Sequence, residues 1–251
     1  MRYAFIPVFL LFFAIGSAQV RLPRLISDNM VLQRDQPLHF WGWAGKGEKV
    51  QIAFAGQLLS VTADTAGNWS ATLEPVKAGG PYTIHIHASN QIELKNVLVG
   101  DVWFCSGQSN MVLNMERVKE KYPAEIASAD YPEIRNFFIP TAADVRSGHT
   151  ELPGGQWLAT SPQTVYSFGA AAYFFAKDLY QHYHIPIGII NSSVGGTPVE
   201  AWISPESMAA FPDKLAQVKR FLSSPQKTRS SRPSMPEEPK DDIGMIAGDL
   251  G

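Results

Sequence analysis

The stretch that most narrows what this chain can fold into is an apolar run, Val97-Leu-Val-Gly-Asp-Val-Trp-Phe104, closing in Cys105-Ser-Gly-Gln-Ser-Asn-Met111. A mostly apolar run that enters a polar, glycine-bearing turn has the pattern of a buried strand meeting a tight loop. In an α/β fold such a turn exposes one hydroxyl at the end of a strand. A residue without Cβ two places before that hydroxyl lets the backbone bend. Gly107 holds that place, which makes Ser109 the candidate nucleophile. A lone Gly-x-Ser also occurs in ordinary polar turns, so the reading depends on the rest of the chain.

The chain changes periodicity near residue 96. Before it, Leu38–Trp43, Lys49–Phe54, Leu58–Thr62, Trp69–Leu73, Tyr82–His87 and Gln91–Lys95 read as short strands, several alternating apolar and polar residues. Ala44-Gly-Lys-Gly47, Ala66-Gly-Asn68 and Ala78-Gly-Gly-Pro81 supply turns between them. Residues 22–96 are therefore expected to form a β-sandwich domain. After residue 97, Phe168, Ala171, Ala172, Phe175 and Leu179 recur at helical spacing and predict an amphipathic helix over Ser167–His182. A strand Ile187–Ile190 follows, ending in Asn191-Ser-Ser-Val-Gly-Gly-Thr197. Strand, helix, strand with polar loops at the strand ends predicts an α/β domain over 97–222, a parallel sheet flanked by helices. A helical region from Pro205 to Leu222 is expected to break or restart at Pro212. Residues 223–242 read as a linker or insertion, and 243–251 as the start of a further segment.

Composition sets limits. A net charge of −2 over 251 residues supplies no basic patch for nucleic acid and no polybasic membrane anchor. Arg2, an apolar stretch from Ala4 to Ile15 and the small residues Gly16-Ser-Ala18 read as a signal peptide over 1–18, cut before Gln19. The expected location is secreted or periplasmic, with no membrane attachment after cleavage, since the apolar stretch is too short to span. Cys105 is the only cysteine, so no internal disulfide is possible, and its place in an apolar strand suits a buried small hydrophobe. No metal-ligand cluster and no cofactor motif is found.

Gly107-Gln-Ser-Asn-Met111 closely resembles the nucleophile block of the sialate O-acetylesterase family within the SGNH hydrolases. Ile26-Ser-Asp-Asn-Met-Val-Leu-Gln33 resembles the opening of that family's N-terminal β-domain, and Asn191–Trp202 resembles its second block. The resemblance runs from Leu22 to Ala247. It implies an SGNH-hydrolase-like fold and a serine carboxylic-ester hydrolase acting on acetylated sugars, O-acetylated sialic acid foremost. It assigns Ser109 as nucleophile and Gly196, or alternatively Gly195, as oxyanion donor. Gln108, Asn110 and Glu200 are candidates to meet the substrate, while Trp202 suits the core better.

The family's Asp-x-x-His and its Gln-Gly-Glu-Ser-Asn block are absent from the sequence. None of His39, His85, His87, His149, His182 and His184 follows an aspartate by three positions. The chain therefore reads as an N-terminal portion of such an esterase, with an incomplete hydrolase sheet and poor activity by itself. The alternative is a non-catalytic carbohydrate-binding protein on a degenerate hydrolase fold. Trp41, Trp43 and Trp69 could then stack on sugar rings, although packing in a small sandwich core accounts for them more simply.

Overall fold

The computed structural model describes residues 19–142 and 149–223. The leader-like residues 1–18, nearly all of the expected linker and the 243–251 segment lie outside the described residues.

Seven strands come first: β1 (Val31–Gln33), β2 (Leu38–Trp43), β3 (Lys49–Phe54), β4 (Gln57–Thr62), β5 (Asn68–Leu73), β6 (Gly79–His87) and β7 (Gln91–Gly107). The alternation seen in the sequence is realised as alternate burial, for example Leu38 and Phe40 inward with His39 and Trp41 outward. β3 and β4 form a hairpin joined by Ala55 and Gly56, both at positive φ (49° and 78°). That pair of angles gives the type I′ turn whose twist matches the flanking strands. β2 pairs with β5 as a separate ribbon, and the inward residues of both sheets share one cluster, including Phe40, Trp69 and Leu73 with Val50, Ile52 and Ile86.

The boundary expected at residue 96 is crossed by a continuous strand. β7 pairs antiparallel with β6 in its first part, then runs on to Gly107. Asn96 sits at φ 55° within β7, an unpleated residue that bends the strand from one region into the next. Beyond it follow α1 (Ser109–Val112), α2 (Pro123–Ala127), β8 (Tyr131–Phe138), β9 (Trp157–Thr160), α3 (Ala170–Tyr183) and β10 (Ile187–Ser193). β10 lies between β7 and β8, parallel to both, and β9 is antiparallel on β8. The result is a mixed α/β fold whose central sheet is flanked by helices.

Two expectations about this half need correction. The α3 helix begins at Ala170, after a 3-10 turn (Val165–Ser167) and an extended Phe168. Its buried stripe is Ala172, Tyr173 and Ala176, while Ala171 is exposed and Phe175 is 40% exposed. The apolar face is thus turned by about one residue from the expected one, with Tyr173 packed into the cluster of Met115, Ile126, Val165 and Phe168 and its hydroxyl bonded to Glu125. The run Val97–Phe104 is also not buried throughout. Val97, Leu98 and Val99 are buried, but Trp103 is 44% and Phe104 65% exposed. The cause lies in the pairing. Odd residues of β7 bond towards β10, as Asp101 N–H to Pro186 O (2.9 Å) shows. Even residues face β1, which ends at Gln33 opposite Gly100, and the Gln33 side chain then caps Val102 N–H at 2.9 Å. Past Val102, that side of β7 has no strand partner among the described residues.

Residues from Pro205 onward form a second compact unit, of which α4 (Pro205–Met208) and α5 (Pro212–Ser223) are described. The helix restarts at Pro212, where a fixed φ and a missing N–H suit a first turn.

Candidate active site

β7 ends in the tight turn its sequence predicts. Gly107 adopts φ 137°, and a Cβ there would meet Met111 Cγ at 3.1 Å, so both the angle and the space favour glycine. Gln108 caps α1, and Ser109 is the first residue of that short helix, exposed at the carboxyl end of β7. The Ser109 hydroxyl donates to Gln108 Oε1 at 3.2 Å, and the Ser109 N–H approaches the same oxygen at 3.4 Å. Asn110 is exposed beside it. In α1 the N–H groups of Met111 and Val112 donate to Gln108 O, while the Ser109 N–H, 3.4 Å from Gln108 Oε1, is only weakly held beside the hydroxyl.

The glycine loop after β10 comes to the same place. β10 and β7 run in register from Ile187 opposite Asp101 to Ser193 opposite Gly107, and Val194 N–H then donates to Gly107 O at 2.9 Å. A Cβ on Gly195 would lie 3.9 Å from Ser109 Cα and 4.0 Å from Ser109 Cβ. Gly196 stands at φ 78° with nothing within 4 Å of a Cβ, so its conformation, rather than its space, favours glycine. Thr197 Oγ1 donates to Val194 O (2.8 Å) and accepts from Trp202 Nε1 (2.9 Å), which closes the loop. Trp202 thus holds the loop in shape. Glu200 is half-buried on the 3-10 turn Val199–Trp202 that follows.

Asn191 is a site residue to which the sequence assigns no role. It is fully buried on β10; its amide donates to Met111 O (3.4 Å) beneath α1, and its Oδ1 accepts from Ser193 Oγ at 2.6 Å. A Cβ on Gly169 would fall 2.6 Å from that amide and 2.9 Å from Met111 O. The signal is the polar Asn191 directly after the apolar run Ile187–Ile190, but its partner sits eighty residues away in sequence. Ser193 is buried and committed to Asn191, so it offers no free hydroxyl. Cys105 is half-buried rather than fully buried as expected; it packs against the cluster of Ile134, Ala172, Ala176, Ile187 and Ile189, and burial raises its thiol pKa.

The histidines are spread through the chain. His39 bonds Thr72 Oγ1 through Nδ1 (2.9 Å) on the outer face of β2, and His85 and His87 stack on one another on β6. His182 and His184 close α3, with His184 in a left-handed cap at φ 52°. They precede β10, whose seven residues separate them from the Ser109 end by about 20 Å of strand rise. His149 is exposed. Among the described residues no cluster of three or more His, Cys, Asp or Glu could hold a metal ion, and no helix is long and apolar enough to cross a membrane.

Glu125 on α2 marks the far side of this region. It accepts from Tyr173 OH (2.6 Å) and Lys177 Nζ (2.5 Å) on α3. Burial opposes its charge, yet Lys177 and Tyr173 hold its pKa below the usual carboxylate value.

Comparison with known proteins finds relatives of this chain. No family model matches the chain. It is 31% identical over 208 residues to the sialate O-acetylesterase of Homo sapiens, covering 76% of this chain and 40% of that protein. The Pongo abelii counterpart is 30% identical over 209 residues, again 76% and 40%. The crystal structure of a carbohydrate acetylesterase from Xanthomonas citri superposes with a TM-score of 0.72 at 36% identity, covering 78% of this chain and 45% of that one. The chain is a homologue of the sialate O-acetylesterases. It spans about 40% of the length of the curated relatives it matches. The fold brings together Ser109 and the glycine loop, the two stretches whose sequences resemble blocks of the sialate O-acetylesterases.

Proposed function

We propose that the chain carries the nucleophile-bearing part of a serine esterase that removes acetyl groups from sugars, O-acetylated sialic acid foremost. The observation behind this reading is the meeting of the Gly107-Gln-Ser109 turn and the Gly195-Gly196 loop at the carboxyl ends of adjacent parallel strands, where α/β folds bind ligands. The relatives' names supply the acetyl-sugar chemistry. The N-terminal strands are read as a β-sandwich, and the leader-like residues 1–18 as directing export to the periplasm or outside the cell.

In this mechanism Ser109 Oγ attacks the acetyl carbonyl carbon and gives its proton to a histidine base. N–H groups of Ser109 and of Gly196, or Gly195, stabilise the oxyanion. Collapse breaks the bond to the sugar oxygen, which leaves with the proton. Water, activated by the same base, then releases acetate and restores Ser109. Gln108, Asn110 and Glu200 are the polar groups placed to meet sugar hydroxyls. The base is assigned to the Asp-x-x-His of the family, outside these residues. Without one, Ser109 stays a neutral alcohol, and the 251-residue chain alone hydrolyses p-nitrophenyl acetate poorly. The test is a serine-directed fluorophosphonate applied to a form of the protein that includes the Asp-x-x-His segment. Labelling maps to Ser109 and disappears in Ser109→Ala; a label on Ser106 would overturn the assignment.

A further inference from the structure

The outer face of the β2–β5 ribbon departs from the rule that such a face is polar. Trp41 points away from the core and is 40% exposed, and Trp43, two residues on and about 7 Å along the strand, shares its face. Packing accounts for Trp69, which is 3% exposed, but not for Trp41. Across the ribbon Trp41 stands opposite Ser70 and Trp43 opposite Asn68.

These side chains line an open cavity of about 620 Å³ together with Thr62, Asp64 and Thr150. That volume lies within the range of small-molecule sites, about 300–1,000 Å³. None of the lining residues belongs to the site around Ser109. Among the described residues the wall is made of aromatic faces bordered by hydroxyls, an amide and one carboxylate. Asp64 Oδ1 is occupied by the N–H groups of Ala66 and Asn68, both at 2.8 Å. Its Oδ2 accepts a long bond from the Asn68 amide at 3.4 Å, and a carboxylate oxygen has a second lone pair for a further donor. Arg21 lies over the Trp43 ring at 5.2 Å and covers one of its faces, so Trp41 offers the open platform.

We infer that this cavity is a glycan-binding site, separate from the Ser109 site, that takes neutral pyranose units with one ring stacked on Trp41 and its hydroxyls met by Asp64, Asn68 and Ser70. A pyranose is amphipathic in the way the wall is: C–H groups on its faces, hydroxyls around its edge. The carboxylate of Asp64, the charged group among the described lining residues, disfavours an anionic sugar. Such a site would hold the protein on a polymer while the acetyl ester is processed elsewhere, and it does not require the esterase reading to be correct.

The test is tryptophan fluorescence and calorimetric titration of the protein with xylohexaose and cellohexaose, neutral chains, and with a sialic acid hexamer as the anionic counterpart. A neutral hexamer is expected to bind and quench, and Trp41→Ala to weaken binding about tenfold, the factor carried by one lost aromatic contact. Ser70→Arg, which fills the cavity opposite an intact Trp41, should do the same. Ser109→Ala should leave binding unchanged, which separates this site from the catalytic one. No binding of either neutral hexamer, or binding that survives both Trp41→Ala and Ser70→Arg, overturns the site. Tighter binding of the sialic acid hexamer overturns the assignment of a neutral ligand.

Discussion

The strands up to Asn96 and the sheet that carries Ser109 are held by different means. In the first region every inward face meets another: Phe40, Val50, Ile52, Trp69 and Ile86 lie in one cluster and are almost wholly excluded from water. In the second, β7 past Val102 has a strand neighbour on one side only among the described residues, and Trp103 and Phe104 stay exposed. Here buried polar groups supplement the apolar core. Arg135, Asn191 and the Glu125–Lys177 pair each tie segments that are distant in sequence. A region that must keep a reactive loop open at a sheet end has less apolar surface to close over it, and polar clamps fix position where packing does not reach.

Arg135 is the strongest of these clamps and gives the largest expected effect. Its side chain is almost wholly buried on β8, and its guanidinium donates to Asn29 O (2.8 Å), Pro132 O (3.2 Å), Asn96 Oδ1 (3.0 Å) and Asn96 O. Burial lowers its pKa to about 10, so it remains charged at neutral pH and satisfied by oxygens rather than by a carboxylate. Removing it leaves several acceptors at the bend of β7 without their donor and a cavity where the side chain was buried. Arg135→Ala is expected to cost about 3–5 kcal/mol in urea unfolding. A loss below about 1 kcal/mol would erase the contrast drawn between the two regions.

The glycine loop sharpens the comparison at the site itself. Gly196 holds φ 78°, so Gly196→Ala strains the loop and displaces its N–H without a clash. With an esterase-competent form, kcat is expected to fall about 10²–10³-fold with little change in KM, the scale of a lost oxyanion donor. Gly195→Ala adds a methyl at ordinary contact distance from Ser109 and should cost less. Full kcat in a folded Gly196→Ala protein would transfer the donor role to Gly195.

What can be read from the sequence follows the same division. β2 and β3 run over the very residues their alternation marks, because a period of two records which side faces a core within the chain. The Ser109 turn is legible through Gly107, whose lack of a side chain has a local cause. The exposure of Phe104 is not, since an apolar residue states a preference and not whether a neighbour satisfies it. Nor is the turned face of α3 legible: Tyr173 is buried among residues of other elements, with Glu125 as its hydroxyl's partner, and spacing along one helix registers neither. Asn191 escapes for a similar reason, its role resting on a carbonyl of α1.

The smallest effect comes from the Glu125–Lys177 pair, and its pH dependence has a definite sign. The Glu125 carboxyl titrates lower in the folded chain than the unfolded value of about 4.3. A carboxylate with a depressed folded pKa contributes stability that is present above its unfolded pKa and lost as pH falls through the folded one. The Lys177 pKa is raised: burial works against it, but the hydrogen bond it donates to Glu125 prevails, so its contribution holds until pH rises past the usual lysine range. The pair should therefore stabilise the fold between roughly pH 4.5 and 10. Its side chains are 17% and 18% exposed, so solvent screens it only in part. Glu125→Gln is expected to lower stability at pH 7 by on the order of 1–2 kcal/mol, and the gap to the parent chain should close on acidification to about pH 2.5. Urea midpoints of both proteins at the two pH values decide it. A gap that stays constant would mean that Glu125→Gln removes only shape or a neutral hydrogen bond, and that α2 is held to α3 by packing like the strands of the first region.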